Sequence, residues 1–221
     1  PMTLIEIDKL NDAIKVVDQA TKGIIVSYDN HAIYIEDTSV IVNKGVRITR
    51  HYLDSPLGLA GALYLPIYMV KVLKHLKGRI VELRRSTTPM GEEIVLLQGD
   101  GFSIHFLEWY SKKDFDIDAI NFITSIEPIE EDDSEYLESL SELSSASKVL
   151  ELNLQDGAIS TQDKTIVLEV TPKQSPIVYI STEVMPKKAE LKKYDTLKIN
   201  ESMVKFQGDN LITVVATMDV S

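Results

Sequence analysis

Glu92–Glu108 reads EEIVLLQGDGFSIHFLE, and Glu201–Thr217 reads ESMVKFQGDNLITVVAT. The two stretches align without a gap at a constant offset of 109 residues. Glu92, Val95, Gln98, Gly99 and Asp100 recur as Glu201, Val204, Gln207, Gly208 and Asp209, and Leu97 is matched in kind by Phe206. In each copy a Gly-Asp-Gly or Gly-Asp-Asn triplet separates two runs of alternating apolar residues. These turn residues tolerate positive φ, so each copy is expected to be strand, tight turn, strand. Recurrence at a fixed spacing also means the chain repeats itself.

A second pair lies upstream. YDNHAIYIEDTSVIV starts at Tyr28 and QDGAISTQDKTIVLEV starts at Gln155, with Asp29 and Asp37 falling near Asp156 and Asp163 at offsets of 127 and 126. Both read as strand, Asp turn, short strand, polar turn, β-branched strand. Helices fill the spaces between. Asp8–Lys22 places Leu10, Ala13, Ile14 and Val17 on one stripe, with Asp8 suited to cap its start. Pro66–Lys77 carries Met69, Val70, Leu73 and Leu76 on one face, with Pro66 suited to the first turn and Gly78 to the stop. Asp133–Ser147 has Tyr136, Leu137, Leu140 and Leu143 at helical spacing. Met185–Tyr194 predicts a short helix marked by Ala189 and Leu191, with Pro186 in its first turn.

Before each helix stands a strand-like piece: Thr3–Ile7, Leu63–Leu65, Asn121–Ser125 and Val178–Ser181. The chain thus reads as four units of strand, helix and three-strand meander, starting near residues 3, 62, 120 and 177. Units one and three resemble each other, as do two and four. The expected organisation is α+β, with one domain over 1–110, a connector over 111–119 and a second domain over 120–221. Glu127–Glu135 is an acidic loop leading into the third helix.

Composition removes several function classes. The 221 residues are 44% hydrophobic and 26% charged, which is globular. There is no cysteine, so disulfide scaffolds, thiolate metal sites and cysteine nucleophiles are excluded, and a reducing compartment is the expectation. No apolar run reaches the ~20 residues of a membrane span. No signal-peptide pattern opens the sequence, and Pro1 ahead of Met2 reads as an added residue.

Of the four histidines (His31, His51, His75, His105) none has metal-binding spacing to another, and His105 alternates with Ile104 and Phe106 as a solvent-face residue. No nucleophile elbow, P-loop or dinucleotide fingerprint occurs. Gly99-Asp100-Gly101 sits in a hairpin, away from any helix N-terminus that would hold phosphate. No enzyme, metal or cofactor is expected.

The net charge of −11 argues against a uniformly basic nucleic-acid binder but permits one basic surface. The positive charge is unevenly placed. Pro66–Lys77 carries Lys71, Lys74 and Lys77 and no acid, and Met185–Tyr194 carries Lys187, Lys188, Lys192 and Lys193 against Glu190 alone. The first helix adds Lys9, Lys15 and Lys22, diluted by Asp12 and Asp18. These are ordinary solvated helix faces or a contact surface for a phosphate backbone. Lysine, a point charge on a flexible stem, suits the second, because phosphate contacts carry no sequence information and tolerate sliding.

Taken together, the doubled strand–helix–meander pattern and the lysine-bearing helices resemble the DNA sliding clamps, the polymerase processivity factors. The opening TLIEIDKLNDAIKVV and the ending IVYIST, EVMPKKAELKKY, TLKIN, SMVKFQGDN and LITVVATMD carry the likeness, the ending being similar to that of compact two-domain phage clamps. The resemblance implies a ring of six domains around duplex DNA. Three domains per chain would leave about 74 residues each, too few, so two domains and a homotrimer are implied. It also implies edge-strand pairing between subunits, with Phe102–Tyr110 and Thr165–Val170 as candidate edges. The implied partners are double-stranded DNA without sequence preference, a DNA polymerase, a clamp loader and further copies of the chain, with no membrane. Partner peptides would dock in an apolar cleft for which Phe115, Ile117 and Met218 are candidates, a core role for the three standing equally open.

One feature departs from the pattern. The third helix carries Glu135, Glu138 and Glu142 and no lysine before Lys148, so either only part of the ring contacts DNA or Ser139, Ser141 and Ser144 form the inner face while the glutamates point sideways. A monomeric or heterotrimeric processivity subunit, or an acidic scaffold with no DNA role, are the alternatives.

Overall fold

A computed structural model of the protein describes residues 3–20, 32–108, 115–125, 134–161, 167–169 and 176–219. Two compact units divide the chain. One comprises Pro1–Asn43 with Arg50–Ala119, the other Lys44–Thr49 with Ile120–Ser221.

In the first unit the order is β1 (Thr3–Glu6), α1 (Ile7–Ala20), β2 (Ala32–Ile35), β3 (Ser39–Asn43), β4 (Arg47–Tyr52), β5 (Leu63–Pro66), α2 (Tyr68–His75), β6 (Ile80–Thr87), β7 (Glu93–Gly99) and β8 (Phe102–Leu107). β4 contributes Arg50–Tyr52 here and Arg47–Thr49 to the second unit. The halves exchange strands. β1 joins the later meander in the order β1-β6-β7-β8, while β5 joins the earlier one in the order β4-β3-β2-β5. The pairings β1–β6 (Ile5↔Val81) and β2–β5 (Ile33↔Leu65) are both antiparallel. Alternation then turns Ile5, Val81, Val95 and Phe106 of one sheet and Ile33, Ile35, Val40 and Val42 of the other into one core with the apolar stripes of the helices. All four predicted stripe residues of α1 are buried, as are Met69, Val70 and Leu73 of α2.

Two local expectations for this unit change. Pro66 ends β5 opposite Ala32 instead of opening α2, a position where its missing N–H costs little. Asp8 lies inside the first turn of α1, and its Oδ1 accepts the Gly78 N–H at 2.8 Å, tying α1 to the turn after α2.

The second unit runs α3 (Ile117–Ile123, entered from the first unit), α4 (Ser134–Leu143), β9 (Val149–Asn153), β10 (Ala158–Thr161), β11 (Val167–Glu169), β12 (Val178–Ser181), α5 (Lys188–Leu191), β13 (Thr196–Ile199), β14 (Met203–Gln207) and β15 (Leu211–Ala216). One sheet has the order β11-β10-β9-β12, and β12 pairs with β9 as β5 pairs with β2. β13, β14 and β15 form the other, and Val46, just before β4, accepts the Ala216 N–H at 2.9 Å. Tyr136, Leu137, Leu140 and Leu143 are buried on α4 as the sequence predicts.

The 109-residue repeat is reproduced down to its register. Ile94 faces Leu107 as Met203 faces Ala216, and Leu97 faces Ile104 as Phe206 faces Thr213. Both repeated glycines sit in tight places, Gly208 against backbone and Gly99 against a side chain. A Cβ on Gly99 would lie 2.3 Å from the Phe102 ring, and one on Gly208 would lie 2.1 Å from the Lys193 carbonyl oxygen.

The second repeat is not an equivalence. Its offset lays β2 on β10, whereas strand pairing makes β9 the counterpart of β2. Asn121–Ser125 is not a strand either, because most of it belongs to α3, where Ile120 and Thr124 are buried one turn apart and Thr124 Oγ1 donates to the Ile120 carbonyl. The predicted helix over Met185–Tyr194 contracts to one turn. Ala189 is exposed, and Met185, Leu191 and Tyr194 supply the buried contacts.

Candidate nucleic-acid interface

α1 and α2 pack against each other, with Asn11 Nδ2 donating to the Leu73 carbonyl at 3.0 Å. Between them lies a groove of about 790 Å³ lined by Lys15, Lys74 and Lys77 together with Asp8, Asp12 and Asp18. Lys71 is exposed on α2. Lys9 is half-buried, and its ammonium donates to the Pro56 carbonyl, a bond that leaves its charge and two further donors in place. Lys22 lies outside the described residues. Lys15, Lys74 and Lys77 thus share the groove with three aspartates, and Lys71 stands exposed on the same helix as Lys74.

The second unit separates its charges. Lys187, Lys188, Lys192 and Lys193 are all exposed around the single turn of α5, and none forms an ion pair with a described residue. α4 packs beside α5 and presents Glu135, Glu138 and Glu142 to solvent, while Ser139, Ser141 and Ser144 are half-buried. Ser139 and Ser144 donate to carbonyls of their own segment, those of Glu135 and Ser141. The outer side of α4 is acidic.

Beneath α5 lies a polar cluster that the sequence did not reveal. Arg47 is 2% exposed; its Nη2 donates to Glu190 Oε2 at 3.1 Å, its Nη1 to the Val184 carbonyl at 3.3 Å and its Nε to Thr49 Oγ1 at 3.4 Å. Thr49 Oγ1 bonds Thr213 Oγ1 at 3.0 Å, and Thr213 bonds the Tyr194 hydroxyl. Burial pushes the Tyr194 phenol up to about 12, against the lowering effects of Thr213 and Arg47. The neutral phenol is thus favoured in the fold. Its contribution is complete below pH 10, where the unfolded phenol is still neutral, and is lost as pH rises from about 10 towards 12. Tyr194→Phe is expected to lose roughly 1 kcal/mol at pH 8 through the missing hydrogen bond. It should also show a shallower alkaline decline than the unaltered protein in denaturant titrations between pH 9 and 12.

The three candidate cleft residues divide between the units. Phe115 stacks on Tyr34 with ring centroids 5.0 Å apart and meets Tyr64 edge-on at 5.6 Å. It therefore packs within the first unit, in a cluster where burial and Glu36 push the Tyr34 phenol above its ordinary value. Ile117, also in the first unit, is half-buried at the start of α3. Met218 is 38% exposed in the second unit, its N–H donating to the Tyr179 carbonyl at 2.7 Å, and Ile177 nearby in that strand's approach is 47% exposed.

Among the described residues, two terminal strands coincide with the candidate joining edges. β8 ends the order β1-β6-β7-β8, and β11 ends the order β11-β10-β9-β12. The turn Asp100–Gly101 closes on Gly99↔Phe102, so Ser103, His105 and Leu107 aim their amides away from β7. His105 is exposed. Among the described residues no cluster of three His, Asp or Glu is placed to hold a metal ion, and no helix is long and apolar enough to cross a membrane.

Doubled strand–helix–meander units with exchanged strands define an α+β, DNA-clamp-like fold. Similar solved structures are bacterial β clamps. The DNA polymerase sliding clamp of Bacillus subtilis superposes with a TM-score of 0.64 at 12% identity, and the DNA polymerase III β subunit of Pseudomonas aeruginosa with 0.62 at 13%. Each comparison covers 100% of this chain and 65% of the clamp chain, so the chain spans about two domains of a three-domain clamp. The Helicobacter pylori β clamp, solved with a DNA ligase peptide, gives 0.57 at 10% over 100% and 67% of the two chains. No protein-family model and no curated protein sequence matches the chain.

Proposed function

We propose that the protein is a sliding clamp, a ring that encloses duplex DNA and tethers a replicative polymerase to it. The observation that carries the proposal is the clamp-like fold along the whole chain, TM-score 0.64 with a bacterial sliding clamp. The exposed lysines on α2 and α5, and the position of β8 and β11 at the ends of their sheets among the described residues, support it. The mechanism is topological. A closed ring leaves DNA only by opening, so each lysine–phosphate contact can be weak, screened and sequence-blind. A polymerase and a loader of the clamp would bind through short apolar peptides, for which the Ile177–Met218 surface of the second unit offers exposed side chains. The role involves no bond-making chemistry.

A six-domain ring built from this chain needs three copies, joined by antiparallel pairing of β8 of one with β11 of the next. Light scattering on the eluted protein at micromolar concentration is expected to give a mass near three times 24.8 kDa. A stable monomer would count against the ring and favour a non-encircling processivity subunit.

A further inference from the structure

We propose that Arg47 is a positioning residue that withdraws Glu190 from the α5 lysines, so that α5 presents an unbroken basic face to the DNA backbone; this rests on the DNA reading above. Glu190 is the only acid among Lys187–Lys193, and free in solvent it would sit among four ammonium groups. Instead its carboxylate turns inward. It is 16% exposed and bound at 3.1 Å to a guanidinium that is 2% exposed.

The other Arg47 donors fix the direction of that pull. Nη1 holds the Val184 carbonyl, just ahead of α5, and Nε holds Thr49, which connects through Thr213 to Tyr194, just behind it. The guanidinium thus sits under both ends of the lysine-bearing turn. At this depth it neutralises Glu190 without itself reaching a phosphate. Arg47 comes from a strand 143 residues away in sequence and belongs to the short segment that the early part of the chain contributes to the second unit.

The test measures binding to a 30-bp duplex of mixed sequence by fluorescence anisotropy at pH 8, as a function of salt. Arg47→Met frees Glu190 to reach the lysines. The slope of log affinity against log salt should become shallower by about one, and binding near 50 mM salt should weaken several-fold. The double variant Arg47→Met/Glu190→Gln should regain the unaltered slope. Glu190→Gln alone should leave it unchanged, and this milder variant decides the matter if Arg47→Met does not fold.

Equal slopes for Arg47→Met and the double variant, or a slope steepened by about one in Glu190→Gln, would overturn the assignment. Should the unaltered protein not hold this open-ended duplex, the DNA reading is decided separately by primer extension with polymerase and loader. The withdrawal of Glu190 is then read from acetylation rates followed by mass spectrometry. Lys187 and Lys193 should react more slowly in Arg47→Met than in the double variant, and equal rates would refute it.

Discussion

Simultaneous replacement of Lys71, Lys74, Lys187 and Lys188 by glutamate is expected to abolish processive synthesis while leaving the fold intact. All four side chains are exposed and none forms an ion pair with a described residue, so their removal takes little from the packing. Surface changes of this kind usually cost within about 0.5 kcal/mol each. The electrostatic consequence is far larger, because the chain already carries a net charge of −11. If each lysine neutralises one phosphate, the slope of log affinity against log salt should fall by about four, and affinity near 50 mM salt should drop by roughly 100-fold or more. Primer extension with the polymerase and loader is the direct readout, with circular dichroism to verify the fold. Extension products as long as those of the unaltered protein would remove the lysines from any DNA-contacting role and return them to ordinary solvation.

The second large effect concerns assembly. His105→Pro should convert the oligomer to monomers with the core unchanged. The His105 side chain is exposed and its amide faces away from β7, so proline there removes no bond inside the sheet. In a strand paired across a subunit boundary, the same proline deletes a ladder hydrogen bond and puts a ring where the neighbour must approach. A loss of roughly 2–3 kcal/mol per boundary, about 30–150-fold in dissociation constant, would separate the copies at micromolar concentration. Sedimentation across a concentration series measures it. An unchanged mass would exclude β8 as the joining edge and leave the ring without its proposed seam.

Much of this architecture could be read in the residues, and the exceptions have physical causes. The 109-residue repeat was legible because turn chemistry and strand register are coupled. Backbone crowds Gly208 and the Phe102 ring crowds Gly99, and two hairpins that share loop length share every cross-strand pair. The pair beginning at Tyr28 and Gln155 misled because an Asp-rich turn between β-branched runs fits any hairpin, whichever strand of a meander it belongs to. Asn121–Ser125 is rich in strand-forming residues (Phe122, Ile123, Thr124), and burial of Ile120 and Thr124 overrode that preference.

The helix over Met185–Tyr194 was read too long because Pro186 and two apolar marks, Ala189 and Leu191, stood for a stripe, yet of the two marks only Leu191 is buried and one turn is all it holds. Among the candidate contacts, exposure of the lysines followed directly from amphipathic patterning. Capture of Lys9 by the Pro56 carbonyl and of Glu190 by Arg47 did not, since each joins residues far apart in the chain.

The division of β4 has a consequence for biosynthesis. Lys44–Thr49 leaves the ribosome long before Leu211–Ala216, yet Val46 finds its partner in Ala216 and Thr49 finds its own in Thr213. For most of translation this segment has β3 on one side only, and the Arg47 guanidinium waits for Val184 and Glu190, a window in which the unpaired edge can recruit the wrong chain. Those six early residues therefore lengthen the interval in which the growing chain exposes an unpaired strand edge.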